Sequence, residues 1–451
     1  MLLHRFSAFM FLAFFLSVLP GCASWRREVQ EESLVDGRTV FIRQFRNGLR
    51  AAVFPEKTSP TVAVQLWYQV GSRDEHAGKT GLAHLFEHMM FKQTKNLAEG
   101  EFDRRLEQAG AEGSNAFTVR DFTAYVVEIP KESLNLVLEL EAERMEHLVI
   151  DDASFRTETE VVQNERRQRY ENSPEGTMYK ELFELAFEKS SYRWPVIGYA
   201  EDLAAMTAKD GQAFYQTFYH PSRAIIVLVG DTDPGEAFNM IEKRLGSIGT
   251  DRPIEPRLKP PSEPVQKSPK RKTLRFEMPN QLLLMGLRSP PATAAGFPAL
   301  QAAARVLAGG RSSRLHRALV DSGIASSVSF ELAMESGDSL SMLVVTLQQG
   351  RQAAEAEKVI LSEISRLSRH PPAAEELAAA RNQLRFAAYS ELTRHESLAE
   401  SVGSALSLYG SLKPLDEHLK ALKSLHPEEV SSAIKTYWPS KYVTTVVGVP
   451  K

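Results

Sequence analysis

Apolar and polar residues alternate along this chain with two distinct periods. Over 61–70, Val62, Val64, Leu66 and Tyr68 alternate with their neighbours, the two-residue period of a strand with one buried face. Runs at 39–44 and 50–54 predict two earlier strands, and further strands are expected over 116–129 and 223–229. Helical spacing predicts helices over 81–92, 101–109, 132–148 and 154–170, then a helix-rich stretch as far as Tyr219. Residues 71–75 read as a turn and 110–113 as a loop. The second half repeats the theme. A strand over 282–287 leads through a loop to a glycine-started helix over 296–307, as 61–70 leads to 81–92. A strand over 442–449 closes it, as 223–229 closes the first half. Between the halves, 251–270 carries Pro253, Pro256, Pro260, Pro261, Pro264 and Pro269 with almost no apolar periodicity, which predicts a semi-rigid linker. The expected fold class is α+β: two duplicated α/β-sandwich domains, 39–250 and 271–451, joined by the Pro-rich linker 251–270.

Composition narrows the class. At 451 residues the chain exceeds one ordinary core, and 43% hydrophobic with 25% charged residues is the balance of a folded protein. A formal net charge of -3 argues against a nucleic-acid partner, which calls for a basic excess. The N-terminus differs from the rest. His4 and Arg5 precede an apolar run from Ala8 to Leu19, then Pro20-Gly21-Cys22, the layout of a secretory signal over 1–21. Cys22 is the only cysteine, so no disulfide or thiolate metal site can form within one chain. Its place at the end of the signal resembles a bacterial lipoprotein, with Cys22 lipidated, residues 22–38 a polar tether, and the protein held at a membrane surface. The expected location is then the cell envelope, facing the periplasm, at the outer membrane. A plain secretory signal with an incidental cysteine is the other reading.

Chemistry concentrates in His84-Leu85-Phe86-Glu87-His88. On a helix, His84 and His88 lie one turn apart on one face and can grip one Zn²⁺, with Glu87 beside them free for proton work. Leu82, Leu85, Phe86, Met89 and Met90 would seat that helix in a core. The order matches the inverted H-x-x-E-H zincin pattern. A catalytic zinc usually takes three protein ligands, so a third must come from elsewhere. Glu158 and Glu165, seven residues apart, share a helix face. Spacing alone leaves open whether they point at a site or are solvated carboxylates.

Together these stretches resemble the pitrilysin and mitochondrial-processing-peptidase family of zinc peptidases. The likeness extends to Gly71-Ser72-Arg73-Asp74-Glu75, Asn115-Ala116-Phe117-Thr118 with Asp121 and Tyr125, and Glu158 with Val161-Val162-Gln163-Asn164-Glu165-Arg166. Trp194-Pro195-Val196-Ile197-Gly198 and Gly309-Gly310-Arg311-Ser312-Ser313-Arg314-Leu315 fit it too. The resemblance implies the processing-peptidase type of sandwich and zinc held by His84, His88 and Glu165. It makes Glu87 the general base, and Glu158 a hydrogen-bonding support that belongs to the catalytic machinery. It implies that extended peptide adds as a strand along Asn115, Ala116 and Phe117, although Asn115 by itself reads as a turn residue opening a strand.

One departure shapes the expected assembly. The family draws an Arg and a Tyr from the second domain to hold the substrate carbonyl, and Leu319 and Ser326 stand in those places here. The resemblance therefore implies a metal-bearing subunit that pairs with a metal-less sister chain supplying both groups. The alternatives are a homodimer or monomer using another donor, such as Arg314 or Arg317. The expected activity is zinc-dependent endopeptidase cleavage of extended peptides or unfolded segments. A non-catalytic assembly subunit is the competing class.

Overall fold

The computed structural model describes residues 29–34, 36–249, 257 and 263–451. The signal segment, Cys22 and most of the Pro-rich stretch lie outside the described residues.

The first half runs β1 (Gln30–Ser33), β2 (Thr39–Gln44), β3 (Arg50–Pro55), β4 (Thr61–Tyr68), α1 (Leu82–Met89), α2 (Glu101–Gln108), β5 (Glu112–Thr118) and β6 (Thr123–Pro130). It continues with α3 (Leu134–His147), α4 (Asp152–Arg166), α5 (Pro174–Ala186), α6 (Ala200–Ala205), α7 (Ala208–Phe218), β7 (Ala224–Gly230) and α8 (Pro234–Leu245). Its seven strands are ordered β1-β2-β3-β7-β4-β6-β5. The second half runs β8 (Lys270–Phe276), β9 (Leu282–Ser289), α9 (Phe297–Ala308), β10 (Ala325–Glu331), β11 (Ser339–Leu347), α10 (Ala353–Arg369) and α11 (Ala374–Ser390). It ends with α12 (His395–Tyr409), α13 (Lys413–Ser424), α14 (Pro427–Tyr437) and β12 (Thr444–Pro450). Its sheet is ordered β10-β11-β9-β12-β8.

The order β7-β4-β6-β5 recurs as β12-β9-β11-β10, so each half is one copy of the same unit. In both copies the strand that enters the hairpin is left at a sheet edge. For the first half that edge is β5.

Each half lends the other a helix. Leu398, Val402, Ala405 and Leu406 of α12 bury Trp67, Ile225, Val227 and Val229 on the outer face of the first sheet. In return Met178, Leu182, Phe183 and Ala186 of α5 cover Leu282, Leu284 and Val446 of the second. This explains why β4 is buried on both faces: Val62, Val64, Leu66 and Tyr68 face the main core, Ala63 and Trp67 face α12. Two glycines allow the close approach. A Cβ on Gly403 would lie 2.2 Å from Trp67, and one on Gly448 would lie 2.6 Å from Met178 Sδ.

Three expectations change. The single strand over 116–129 is a hairpin, with the Val119 N–H donating to Phe122 C=O at 2.9 Å across its tip. The tip residues are drawn to the second half. Asp121 accepts from Arg73 Nη1 at 2.7 Å, from Tyr192 OH at 3.1 Å and from the Ser336 amide at 3.0 Å, while Arg120 Nη1 donates to Glu335 at 3.2 Å. Unmatched, these buried charges would be costly, so they fix the turn. The loop over 110–113 gives way at Glu112, where β5 begins. Within the stretch read as a tether, Gln30–Ser33 pairs antiparallel with β2, and Glu32 Oε2 accepts from the Leu412 amide at 2.6 Å. A charged strand is tolerated there because it is an edge.

Candidate metal centre

The metal-motif helix is anchored at its start. Gly81, at φ +90°, precedes α1, and a Cβ there would lie 2.4 Å from Ile197 O, so only glycine lets the Trp194–Gly198 stretch close against it. The Glu75 carboxylate accepts from the Gly81 and Ala83 amides at 2.9 and 2.7 Å, satisfying two of the free N–H groups at the start of the helix. Leu82, Leu85, Phe86 and Met89 bury the apolar side of α1, and His84, Glu87 and His88 emerge on the other. Helix α4 is capped by Asp151, which accepts from Ala153 and Ser154. Phe155 and Val162 sit in the core, while Glu158 and Glu165 face α1.

Glu165 Oε2 lies 3.8 Å from His84 Nε2 and 3.5 Å from His88 Nε2, and the three donor atoms fall within 4.8 Å of one another. Zinc bonds of about 2.0–2.1 Å in a tetrahedron need donors roughly 3.4 Å apart. Two imidazoles and a carboxylate at this spacing fit that ion. Among the described residues this is the one cluster of its kind.

The surrounding contacts orient each group. His88 Nδ1 meets Glu158 Oε2 at 3.4 Å, which turns Nε2 toward Glu165, and Lys92 Nζ meets Glu158 Oε1 at 2.6 Å. Glu87 Oε2 accepts from Thr118 Oγ1 at 2.6 Å. Arg169 Nη2 meets Glu165 Oε1 at 2.8 Å.

Electrostatics follow from burial and these contacts. Burial pushes His84 down to about 4. Burial works against charge on His88 too, but its hydrogen bonds to Glu158 and Glu165 prevail and hold it up at about 9. The His88 hydrogen bond keeps Glu165 below the usual carboxylate range. Burial opposes the charge on Glu158, yet contact with His88 and Lys92 holds it low as well. Burial pushes Glu87 up, only partly offset by Thr118, which suits a carboxylate that must accept and return a proton.

The cleft over this cluster has a volume of about 520 Å³ and is walled by α1, α4 and β5. Asn115, Ala116, Phe117 and Thr118 of β5 form one wall, so the structure puts all eight sequence-derived residues of the metal and peptide sites around one opening. Thr118, Lys92 and Arg169 had no role assigned from sequence. Lys92 continues the 84, 88, 92 spacing of α1 and Arg169 stands four residues after Glu165, so both were within reach of helical periodicity.

The proposed clamp positions lie elsewhere. Leu319 is fully buried in the second core. Ser326 is the second residue of β10, and its hydroxyl donates to Thr346 C=O at 3.2 Å. Arg314 is held by Glu376 through two contacts of 2.8 and 2.7 Å, and Arg317 stands 3.9 Å from the same carboxylate. Both line a separate cavity with Glu363, Arg366 and His370. Among the described residues, all that line the metal cleft come from the first half.

Comparison with known proteins covers both halves of the chain. Residues 51–198 match the family model described as Insulinase (Peptidase family M16), and residues 205–384 match the Peptidase M16 inactive domain. The chain is 33% identical to the zinc protease PqqE of Helicobacter pylori over 332 residues, 72% of this chain and 73% of that protein. It is 24% identical to the uncharacterized zinc protease YmxG of Bacillus subtilis, across 89% of this chain and 97% of that one. The crystal structure of a protease from Helicobacter pylori superposes with a TM-score of 0.85 at 28% identity, covering 94% of this chain and all of that one.

Proposed function

The chain belongs to the M16 (insulinase) family of peptidases, and from that premise we propose that it is a zinc-dependent endopeptidase acting on extended peptides or unfolded segments. The observation that carries this is the donor set of His84, His88 and Glu165 within 4.8 Å, with Glu87 beside it on an open cleft.

His84, His88 and Glu165 would hold the zinc, which when bound supplies an acidified water and a polarised carbonyl. Glu158 takes the Nδ1 side of His88 and so keeps Nε2 turned inward. The Thr118 hydroxyl fixes Glu87 through Oε2, leaving Oε1 to accept the water's proton and pass it to the leaving amine. Strand β5, at the sheet edge, offers backbone N–H and C=O groups to a substrate strand at Asn115, Ala116 and Phe117. Backbone pairing reads few side chains, which suits varied substrates.

The clamp is the part this chain does not bring to its cleft. A metal-less sister chain supplying an Arg and a Tyr fits the burial of Leu319 and the engagement of Arg314 with Glu376. Lipidation of Cys22 would tether the assembly to the envelope, the outer membrane being the site we favour. The competing reading, a non-catalytic assembly subunit, draws on the match of residues 205–384 to the inactive domain. Against it stands the complete set of donors and base, which an assembly role does not need. Metal analysis and a peptide-cleavage assay on the purified protein separate the two. One zinc per chain with cleavage supports the peptidase, and a metal-free, inert protein supports the assembly subunit.

A further inference from the structure

Glu165 presents its two oxygens to different partners. Oε2 faces the imidazoles of His84 and His88, at 3.8 and 3.5 Å, whereas Oε1 meets Arg169 Nη2 at 2.8 Å. Arg169 sits in a single π-helical turn, Arg167–Glu171, that continues α4. Such turns are rare and recur at functional sites. Its neighbours are occupied otherwise: Arg166 pairs with Glu171 and Arg167 donates to Asn164. Arg169 alone of the three lines the metal cleft, and its side chain is 65% exposed. An exposed ion pair one helical turn apart adds little to stability, so stability does not account for it.

Carboxylates bind metals through one oxygen or two. A catalytic zinc keeps three protein ligands and one open position, and a second oxygen from Glu165 would compete for that position. We propose that Arg169 is a positioning residue: by engaging Oε1, it restricts Glu165 to a single metal-facing oxygen and keeps the remaining position free for water. This rests on the zinc reading above. Glu158 and Lys92 form the matching arrangement at His88, so each carboxylate that meets His84 or His88 is steadied by its own cation.

Cobalt(II) replacing zinc reports the difference, because four-coordinate cobalt absorbs visible light much more strongly than five-coordinate cobalt. The apo-protein, its Arg169→Ala and Arg169→Lys variants, and Glu165→Ala are each titrated with cobalt(II), then with zinc against a chelating indicator. Wild type should give the intense four-coordinate spectrum. Arg169→Ala should lose most of that intensity and bind zinc about 10–100-fold more weakly, the usual effect of removing a ligand's hydrogen-bonding partner. Arg169→Lys, which keeps the cation, should recover much of both. An Arg169→Ala spectrum and zinc affinity equal to wild type would overturn the role of Arg169 while leaving the metal site intact. A wild-type protein that binds no cobalt, or a Glu165→Ala variant that binds it equally well, would overturn the metal assignment and this inference with it.

Discussion

Adding one methyl group at Gly403 should loosen the seat of α12 on the first sheet. The new Cβ would lie 2.2, 2.3 and 2.7 Å from Cε2, Nε1 and Cζ2 of Trp67, so helix or ring must retreat by about 1.2 Å to reach ordinary contact at 3.4 Å. Trp67 cannot easily move. It is 1% exposed, donates Nε1–H to Gln65 at 3.0 Å, and packs on Phe122 and Phe117 at centroid distances of 4.8 and 5.7 Å. Overpacking of this kind costs about 1–3 kcal/mol. In a unit of this size that lowers the melting temperature by roughly 2–4 °C per kcal/mol. Because Phe117 lies on the β5 edge, the same strain should reach the proposed peptide-binding wall and raise KM more than it lowers kcat. All three clashing atoms lie in the indole beyond its Cδ atoms and have no counterpart in leucine, so Trp67→Leu should relieve the strain. Urea unfolding of Gly403→Ala, Trp67→Leu and the double variant measures this as a double-mutant cycle. A favourable coupling above about 0.5 kcal/mol is expected in the double variant. Simple additivity, or a Gly403→Ala protein as stable as wild type, would refute the helix-exchange account.

Other consequences can be checked separately. Glu158→Gln should weaken zinc binding about 10–100-fold in a chelator competition, since His88 loses the charged partner that orients it. Asp121 is held below its ordinary value of 3.8: burial opposes its charge, but contacts with Ser336 and Arg73 prevail. Its folded value lies below its unfolded one, so its contribution is complete above pH about 4 and is lost as pH falls through the folded value. Acid unfolding of Asp121→Asn should therefore be shallower than that of wild type, from a lower starting stability, and identical acid limbs would exclude Asp121 as a link between the halves. Adding a metal-less sister chain that carries the Arg and Tyr should raise peptidase activity about a hundred- to a thousand-fold, while Arg314→Ala and Arg317→Ala change little. Full activity from the isolated chain, abolished by either arginine change, would contradict the partner reading.

The sequence makes the local chemistry legible and hides the long-range packing. His84 and His88 stand out because four-residue spacing on an apolar helix has one geometric meaning. Glu165 lies 77 residues beyond His88, and only the family resemblance joined them; the structure puts them 3.5 Å apart. Periodicity reads one buried face of β4 and misses the other, because Trp67 is covered by a helix more than 300 residues away. Nothing local to helices α5 and α12 says which sheet they will cover. The hairpin tip at Arg120 and Asp121 is similar: both look like solvated charges until Glu335 and Ser336 arrive from the second half. The strand at Gln30–Ser33 escapes because its side chains are polar and its pairing is entirely backbone.

The most direct test of the peptidase account is the Glu87→Gln variant, assayed alongside wild type with the partner chain present. Glutamine keeps the shape of the side chain and its contact with Thr118, but cannot accept the water's proton. One zinc per chain is expected in both proteins, with hydrolysis slowed about a hundred- to ten-thousand-fold in the variant. Turnover close to wild type with zinc retained would contradict it, removing Glu87 from the chemistry and the central claim with it.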